Sequence, residues 1–552
     1  MLLIFISFIY MGILSFLLGI GIRGVVKRIF CYHIEDEISL FFGGLAFATV
    51  YAGIFSLFYG VGLLANVGLW GFGIAGVWLE RENLSPLIGK IKKMKKRKFF
   101  FLFVATLLFS YGASRGYLHF DTGLYHAQAI RWIEEYGVVP GLANLHCRLA
   151  YNSSAFGLTA LYSFHFLGGQ SLHTVSAFFA LLLTVKSWDV VEIFWKKQVK
   201  ISDFVKVSAI LYISMIFTEM GSPASDYFAM ILLFFILIRW LELEEKEEKE
   251  ITPYGLLCVL LAVNVTIKLS VAIMLLLVLK PAVILLKEKR YLQIGIYLIS
   301  GIVAVLPYLI RNIILSGWLV YPFSSIDLFS FDWKIPIGEV QYDSEEIKVY
   351  AKGMTDVLKK DTPLGEWFPS WFEALKTLEK VWILCSMASI IMVLIAMILM
   401  VIRKNKKSYP FLFLGMVLVA GYLFWQIGTP LVRYGYLYIL AFPFFTAGLW
   451  FTMCLGNIRN HYLIFGVCLM ILLADKGKNL LEDIIRYKDQ DYYMKQQDYY
   501  TGETYSYQIE GVTFYVPLEQ GQIGYEKFPG VPHERYDFEL RGESLKEGFR
   551  RK

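Results

Sequence analysis

Charge is what this sequence has least of. Asp, Glu, Lys and Arg together make up 18% of its 552 residues, against about a quarter in an ordinary soluble domain. With 57% hydrophobic residues and a mean hydropathy of +0.54, that scarcity excludes a soluble globular chain. Cysteine is also rare. The six (Cys31, Cys147, Cys258, Cys385, Cys454 and Cys468) are scattered, with no CxxC or zinc-type spacing, so they read as packing residues and not as a disulfide framework or metal ligands. The apolar runs lack period-two alternation, which excludes a closed β-barrel. The first residues lack the basic start and small-residue cleavage site of a signal peptide, so they read as a retained first span. No internal repeat of fixed period is visible. The net charge of +7 calls for no nucleic acid, because many of the basic residues sit in short connections between apolar runs.

What the chain does have is repeated apolar runs of about 16 to 24 residues. A hydrocarbon core about 30 Å thick takes roughly 20 residues of helix. The pattern therefore predicts an all-α polytopic membrane protein with about 14 transmembrane helices. Basic connections set its orientation, since cytoplasmic loops are enriched in Lys and Arg. The strongest such marker runs from Lys90 to Lys98 and holds seven basic residues. Arg23, Lys27 and Arg28, then Lys196, Lys197 and Lys200, then 287–290 and 403–407, mark the same side. Counting crossings between these markers leaves room for one span between Asn152 and Lys196. The short run 153–167 thus reads as a juxtamembrane helix. Three regions follow: 1–98, N-terminal spans with the basic loop; 99–474, a transmembrane core with outer loops 118–171 and 312–378; and 475–552, a small extracytoplasmic tail with a strand at 512–516.

The polar stretch from Tyr117 to Asn152 carries the densest chemistry. Asp121 sits just past an outer span end among aromatics and His119, where a carboxylate can take a proton from an acceptor hydroxyl. It also directly precedes a helix expected over 122–136, so it can equally cap that helix. The helix has an apolar stripe of Tyr125, Ala129, Trp132, Ile133 and Tyr136, and suits a position along the membrane surface. Gly137 and Pro140-Gly141 end it. His119, His126, His146 and Arg148 are candidate substrate contacts in the same stretch, with the roles of His126 and His146 ambiguous. Basic-loop topology puts Asp226, Lys268, Arg311 and Arg433 at outer span ends as well. The three cations suit an anionic phosphate, arginine by its two-pronged donor geometry. Asp226 either holds a metal or a sugar hydroxyl, or caps the span that follows Pro223.

An outer loop after an early span, with Asp121 in the pattern Phe120-Asp121-Thr122-Gly123-Leu124-Tyr125, resembles the GT-C glycosyltransferases, as does Ser222-Pro223-Ala224-Ser225-Asp226 opening a later span. A closer likeness, carried by Asp121–His126, Tyr136–His146, Arg433-Tyr434-Gly435 and Leu540-Arg541-Gly542, is to uncharacterised bacterial envelope proteins that accompany surface-polysaccharide genes. The resemblance implies a transferase in the bacterial cytoplasmic membrane with its site facing outward. Its partners would be a polyprenyl-phosphate-linked sugar donor, a glycan or lipid acceptor, and membrane lipid. It also implies that spans one to three are an addition to the superfamily core. Where many relatives carry Asp-Glu this chain has Asp121-Thr122, which removes a second carboxylate and leaves a divalent cation an open question. The alternatives are a surface-polysaccharide polymerase or ligase that needs no base at Asp121, and a lipid-linked oligosaccharide flippase. A flippase requires ionisable groups deep in the spans, for which Lys186 and Asp189 are the candidates.

Overall fold

The computed structural model describes the chain apart from residues 82–88, 90–94, 116–117, 194–197, 405, 455–460, 487–492, 500–501 and 520, and the side chains of 406, 453–454 and 461–464. Tyr117, Lys196, Lys197 and most of the 90–98 basic stretch therefore lie outside the described residues.

Helices dominate. α1 (Leu2–Phe30), α2 (Glu37–Phe55) and α3 (Leu63–Leu79) form the first group. α1 runs on through Arg23, Lys27 and Arg28, which the sequence suggested were a loop, because Arg23 is not exposed to solvent. It is buried against Glu80 at 2.9 Å, tying α1 to the end of α3. α1 and α2 touch through small residues. A side chain at Gly44 would collide with the Ser15 carbonyl, and one at Gly19 with the Leu40 carbonyl, the close backbone approach that drives helix pairing in lipid.

α4 (Lys96–Ser114) leads to the polar stretch, which holds α5 (Ala127–Glu135) and is followed by α6 (Ser154–Leu161). α6 has eight residues, about 12 Å of helix, too short to cross a membrane. α7 (Val175–Ser187), α8 (Ile201–Ile216), α9 (Ser225–Glu245) and α10 (Thr252–Ile267) follow. α10 stops at Lys268, whose backbone is extended (φ −152°, ψ 120°), and the chain re-enters as a tight helix over Leu269–Val278 continued by α11 (Leu279–Lys287). The expected break at Lys268 is present.

α12 (Tyr291–Ser316) leads into the long connection 317–376, expected as the second outer loop, which holds α13 (Ile337–Ala351) and α14 (Leu364–Ala374). α15 (Thr377–Ile402), α16 (Tyr409–Gly428), α17 (Phe442–Leu449) and α18 (His461–Arg486) complete the bundle. The tail carries two antiparallel pairs, β1 (Thr504–Ile509) with β2 (Val512–Pro517), and β3 (Phe538–Leu540) with β4 (Phe549–Arg551).

This is a helical membrane protein by length and composition, but the count of fourteen is not reproduced. Among the described residues seven helices are long and apolar enough to cross, and three more apolar helices are shorter. The difference has physical causes. Several apolar runs are interrupted: α7 gives way to a tighter turn over Trp188–Glu192, and the run after Tyr436 is broken by wide turns on both sides of α17. α9 is unbroken but too charged to count: Asp226 opens it, and Arg239, Glu242, Glu244 and Glu245 crowd its last two turns.

The tail and α5 also differ from expectation. α5 does not lie on a membrane surface. Its apolar stripe packs inward, and its polar side is covered by the tail. Gln128 Nε2 donates to the Gly524 and Lys527 carbonyls at 2.9 Å, Arg131 to the Tyr525 carbonyl at 2.8 Å, and Tyr525 donates to Glu134. Tail residues Phe514, Phe538 and Phe549 join the same hydrophobic core as α5. Arg541 pairs with Asp332 of the second outer loop at 2.8 Å. The tail thus packs as a wall against α5 and the segment after α12 instead of hanging free as an appendage. Gly137 (φ +80°) closes α5, donating to the Ile133 carbonyl at 3.1 Å.

Candidate functional site

Four separate segments deliver the candidate site to one end of the bundle. After α4 the chain turns through His119 and Phe120 into a wide turn, Thr122–His126, with Asp121 at its head. Asp121 makes no side-chain capping bond and its own backbone is already helical (φ −64°, ψ −15°), so the capping alternative is not realised. α9 begins after Pro223 and places Asp226 in its first turn, also without a capping bond. The break after α10 presents Lys268. The turn after α16 presents Arg433, and two tryptophans fix that turn: Trp425 donates to the Leu431 carbonyl at 2.9 Å, and Trp371 of α14 to the Pro430 carbonyl at 3.1 Å.

Arg433 is the hub. Its Nη2 lies 2.8 Å from Asp121 Oδ2, its Nε 3.2 Å from Asp226 Oδ2, and its Nη1 contacts His119 Nε2. Lys268 Nζ contacts Asp226 Oδ1 and stands 3.7 Å from the centre of the Tyr434 ring. Two carboxylates therefore alternate with two cations, all half-buried or buried. The segment behind Asp121 is braced by Thr122, whose Oγ1 meets His126 Nδ1 at 3.2 Å and Ser222. Both ring nitrogens of His119 face donors, Nε2 the Arg433 guanidinium and Nδ1 the Asp121 backbone N–H at 3.2 Å.

The electrostatics follow from burial and these neighbours. Burial alone would raise the Asp121 carboxyl, but Arg433, with His126 and His119, outweighs it and holds Asp121 below the usual carboxylate range. Burial and the Arg433 charge keep His119 below the ordinary histidine value, against the pull of Asp121. Burial takes His126 down to about 3. It also opposes the Arg433 charge, yet Asp226, Tyr434 and Asp121 raise that group further, so the guanidinium persists. At neutral pH the site holds carboxylates at Asp121 and Asp226, neutral imidazoles and the Arg433 guanidinium.

Residues 1–440 match the model of a protein family whose description is a domain of unknown function, DUF8201. The chain belongs to that family. No curated protein and no solved structure matches it. The DUF8201 match begins at residue 1, so α1–α3 are part of the family domain. It contains every member of the cluster around Arg433 and ends before the tail.

Of the residues singled out in the sequence, Asp121, His119, Asp226, Lys268 and Arg433 come together. His126 lies one layer behind, its ring 6.2 Å from that of His119. Arg148 stands at the edge, 3.9 Å from Glu346, and its charge still helps hold Asp121 down. Two are elsewhere. His146 is buried near Arg148, His533 and Arg535 and is pushed to about 3 by burial. Arg311 is buried inside α12, where Nε donates to Asn152 Oδ1 at 2.9 Å and Nη1 to Ser56 Oγ at 2.6 Å. It fastens α2 to the first outer loop and is committed to neutral partners. Tyr434 and Tyr227, which donates to Glu219, also border the site. Adjacency to Arg433 could have flagged Tyr434, whereas nothing in the sequence singles out Tyr227. Among the described residues no group of three His, Cys, Asp or Glu is placed to hold a metal ion. Both Asp226 oxygens and Asp121 Oδ2 face Arg433 or Lys268.

Proposed function

We propose that this protein is a membrane glycosyltransferase of GT-C type, moving a sugar from a polyprenyl-phosphate donor to an envelope glycan or lipid acceptor at the outer face of the bacterial cytoplasmic membrane. One observation carries the reading: the alternation of Asp121, Arg433, Asp226 and Lys268, drawn from four distant segments into one cluster. A base beside permanent cations is what displacement at a phosphate-linked sugar requires. Asp121 takes the proton of the acceptor hydroxyl. The hydroxyl oxygen forms a bond to the anomeric carbon as the bond from that carbon to the phosphate oxygen breaks. Arg433 and Lys268 take up the charge that grows on the departing polyprenyl phosphate.

The pairing of Arg433 with Asp121 adds an order to these events. While Arg433 holds Asp121, the carboxylate is a weak base. A phosphate arriving at Arg433 competes for the same guanidinium and releases Asp121, so the donor binds first and activates the base. The ionisable groups that a flippase would need along its path, Lys186 and Asp189, are instead engaged in ion pairs with Asp36, Glu242 and Lys206, which favours transfer over transport. A second reading, a polymerase or ligase that uses the cations alone, draws support from the low basicity of the paired Asp121. The test is transfer of radiolabelled sugar from a panel of polyprenyl-phosphate donors in membranes containing the protein. Donor-dependent label in lipid or glycan is expected, and its absence across the panel would overturn the transferase reading.

A further inference from the structure

At the other end of the bundle is a second built feature. α9 has Asp226 in its first turn and Glu242 near its end, 16 residues apart and so about 24 Å along the axis. Around Glu242 lies a buried ion network. Lys186 Nζ reaches Asp36 at 2.6 Å and Glu242 at 2.8 Å. Lys206 Nζ reaches Asp189 at 2.9 Å and Glu242 at 3.0 Å. Arg239 Nη1 reaches Glu242 at 2.5 Å and Asp36 at 3.6 Å.

This network lines one end of a cleft of about 1750 Å³ whose other walls come from α1, α2, α3, α10 and α12. That is larger than the roughly 300–1,000 Å³ of a site for a drug-sized molecule. Its walls are apolar and open: Val25, Ile29, Trp78, Ile299 and Val303 all line it and all remain exposed in the folded chain. In a membrane protein such a surface is met by lipid chains. The polar end is specific in sign. Among the described residues, eight acidic and five basic side chains line the cleft. Each buried cation of the network already contacts two carboxylates, so none is available to an anionic headgroup, which would also meet the surplus acids. Glu35 and Glu37, at the start of α2, are exposed and make no ion pair among the described residues.

We propose that this cleft binds a membrane lipid with a primary ammonium headgroup, an aminophospholipid, with its chains on the apolar wall and its ammonium against Glu35 and Glu37. The lysines Lys200 and Lys246, which also line the cleft, meet its phosphodiester. The site is separate from the Arg433 cluster and independent of the proposed reaction.

The experiment uses the full chain, reconstituted with equal parts of phosphatidylethanolamine and phosphatidylglycerol of matched chains, with retained lipid read by native mass spectrometry. Wild type is expected to retain phosphatidylethanolamine at least fivefold over phosphatidylglycerol. The ratio should fall close to one in the Glu35→Gln/Glu37→Gln double variant, whose exposed positions leave folding intact. Val303→Trp, which fills the apolar wall, should lower retention of both lipids. Equal or preferential retention of phosphatidylglycerol by wild type, no retained lipid, or an unchanged ratio in the double variant would each overturn the assignment.

Discussion

Arg433 Nη2 lies 2.8 Å from Asp121 Oδ2, although 312 positions of sequence separate them. That contact closes the candidate site and makes the state of the carboxylate depend on what else the guanidinium holds. A charge-assisted pair of this kind contributes about 1.5–3 kcal/mol, enough to set the resting arrangement and small enough for a phosphate to displace.

Replacing Arg433 by Lys keeps the charge and removes the fork. The single ammonium cannot reach Asp121, Asp226 and His119 together. Transfer should fall about 10- to 100-fold, mostly through a raised KM for the donor, with the thermal midpoint in detergent changed little. A loss confined to acceptor KM would show that Arg433 does not meet the phosphate.

The downward shifts of Asp121 and His119 set the pH profile of transfer. Both groups are in their working forms, carboxylate and neutral imidazole, throughout the neutral range. Rate should be flat from about pH 6.5 to 8 and decline only on the acid side, below the ordinary histidine value. A rate that climbs steadily through pH 7 to 8 would assign the base to a group of higher pKa.

Stability has its own pH dependence. His126, His146 and His173 are held by burial at about 3 in the fold, below the ordinary value of about 6.5. Below that value the unfolded chain takes up protons that the folded chain does not. The stability of the native state is therefore complete above pH 6.5 and is lost as pH falls towards 3. Melting temperature should drop between pH 7 and pH 5, and His126→Asn should make that drop shallower. A midpoint that rises on acidification would contradict the neutral, buried assignment.

Arg311 should behave as a structural residue. Arg311→Met removes the donor to the buried Asn152 Oδ1, about 1–3 kcal/mol for an unsatisfied group, while Ser56 keeps its bond to the Gly53 carbonyl. Folded yield and melting temperature should decline, while the protein that does fold keeps its donor KM. Loss of transfer at an unchanged melting temperature would return Arg311 to the site.

Much of this was legible in the sequence, and the reasons are particular. Asp121, Asp226, Lys268 and Arg433 could be placed on one side because basic connections set orientation without reference to them. The β1–β2 hairpin was foreshadowed by the β-branched and aromatic run at 512–516. The span count was not legible, because an apolar run does not show where its helix is interrupted, as it is after α7 and on both sides of α17. Arg311 was misplaced for a related reason. Position at a span end says nothing about rotation, and this side chain turns inward to Asn152 instead of outward to the cluster. The fit of the tail on Gln128, Arg131 and Glu134 was invisible, since those contacts join residues nearly 400 positions apart.

The central claim is that Asp121 is the base of a transfer reaction, and the most direct measurement compares membranes carrying wild type and Asp121→Asn at equal protein level. Sugar transfer from a polyprenyl-phosphate donor should fall at least about 100-fold in the variant, the usual contribution of a positioned base, with donor still bound by Arg433 and Lys268. Equal transfer by both proteins would contradict the assignment and leave a reaction driven by the cations alone.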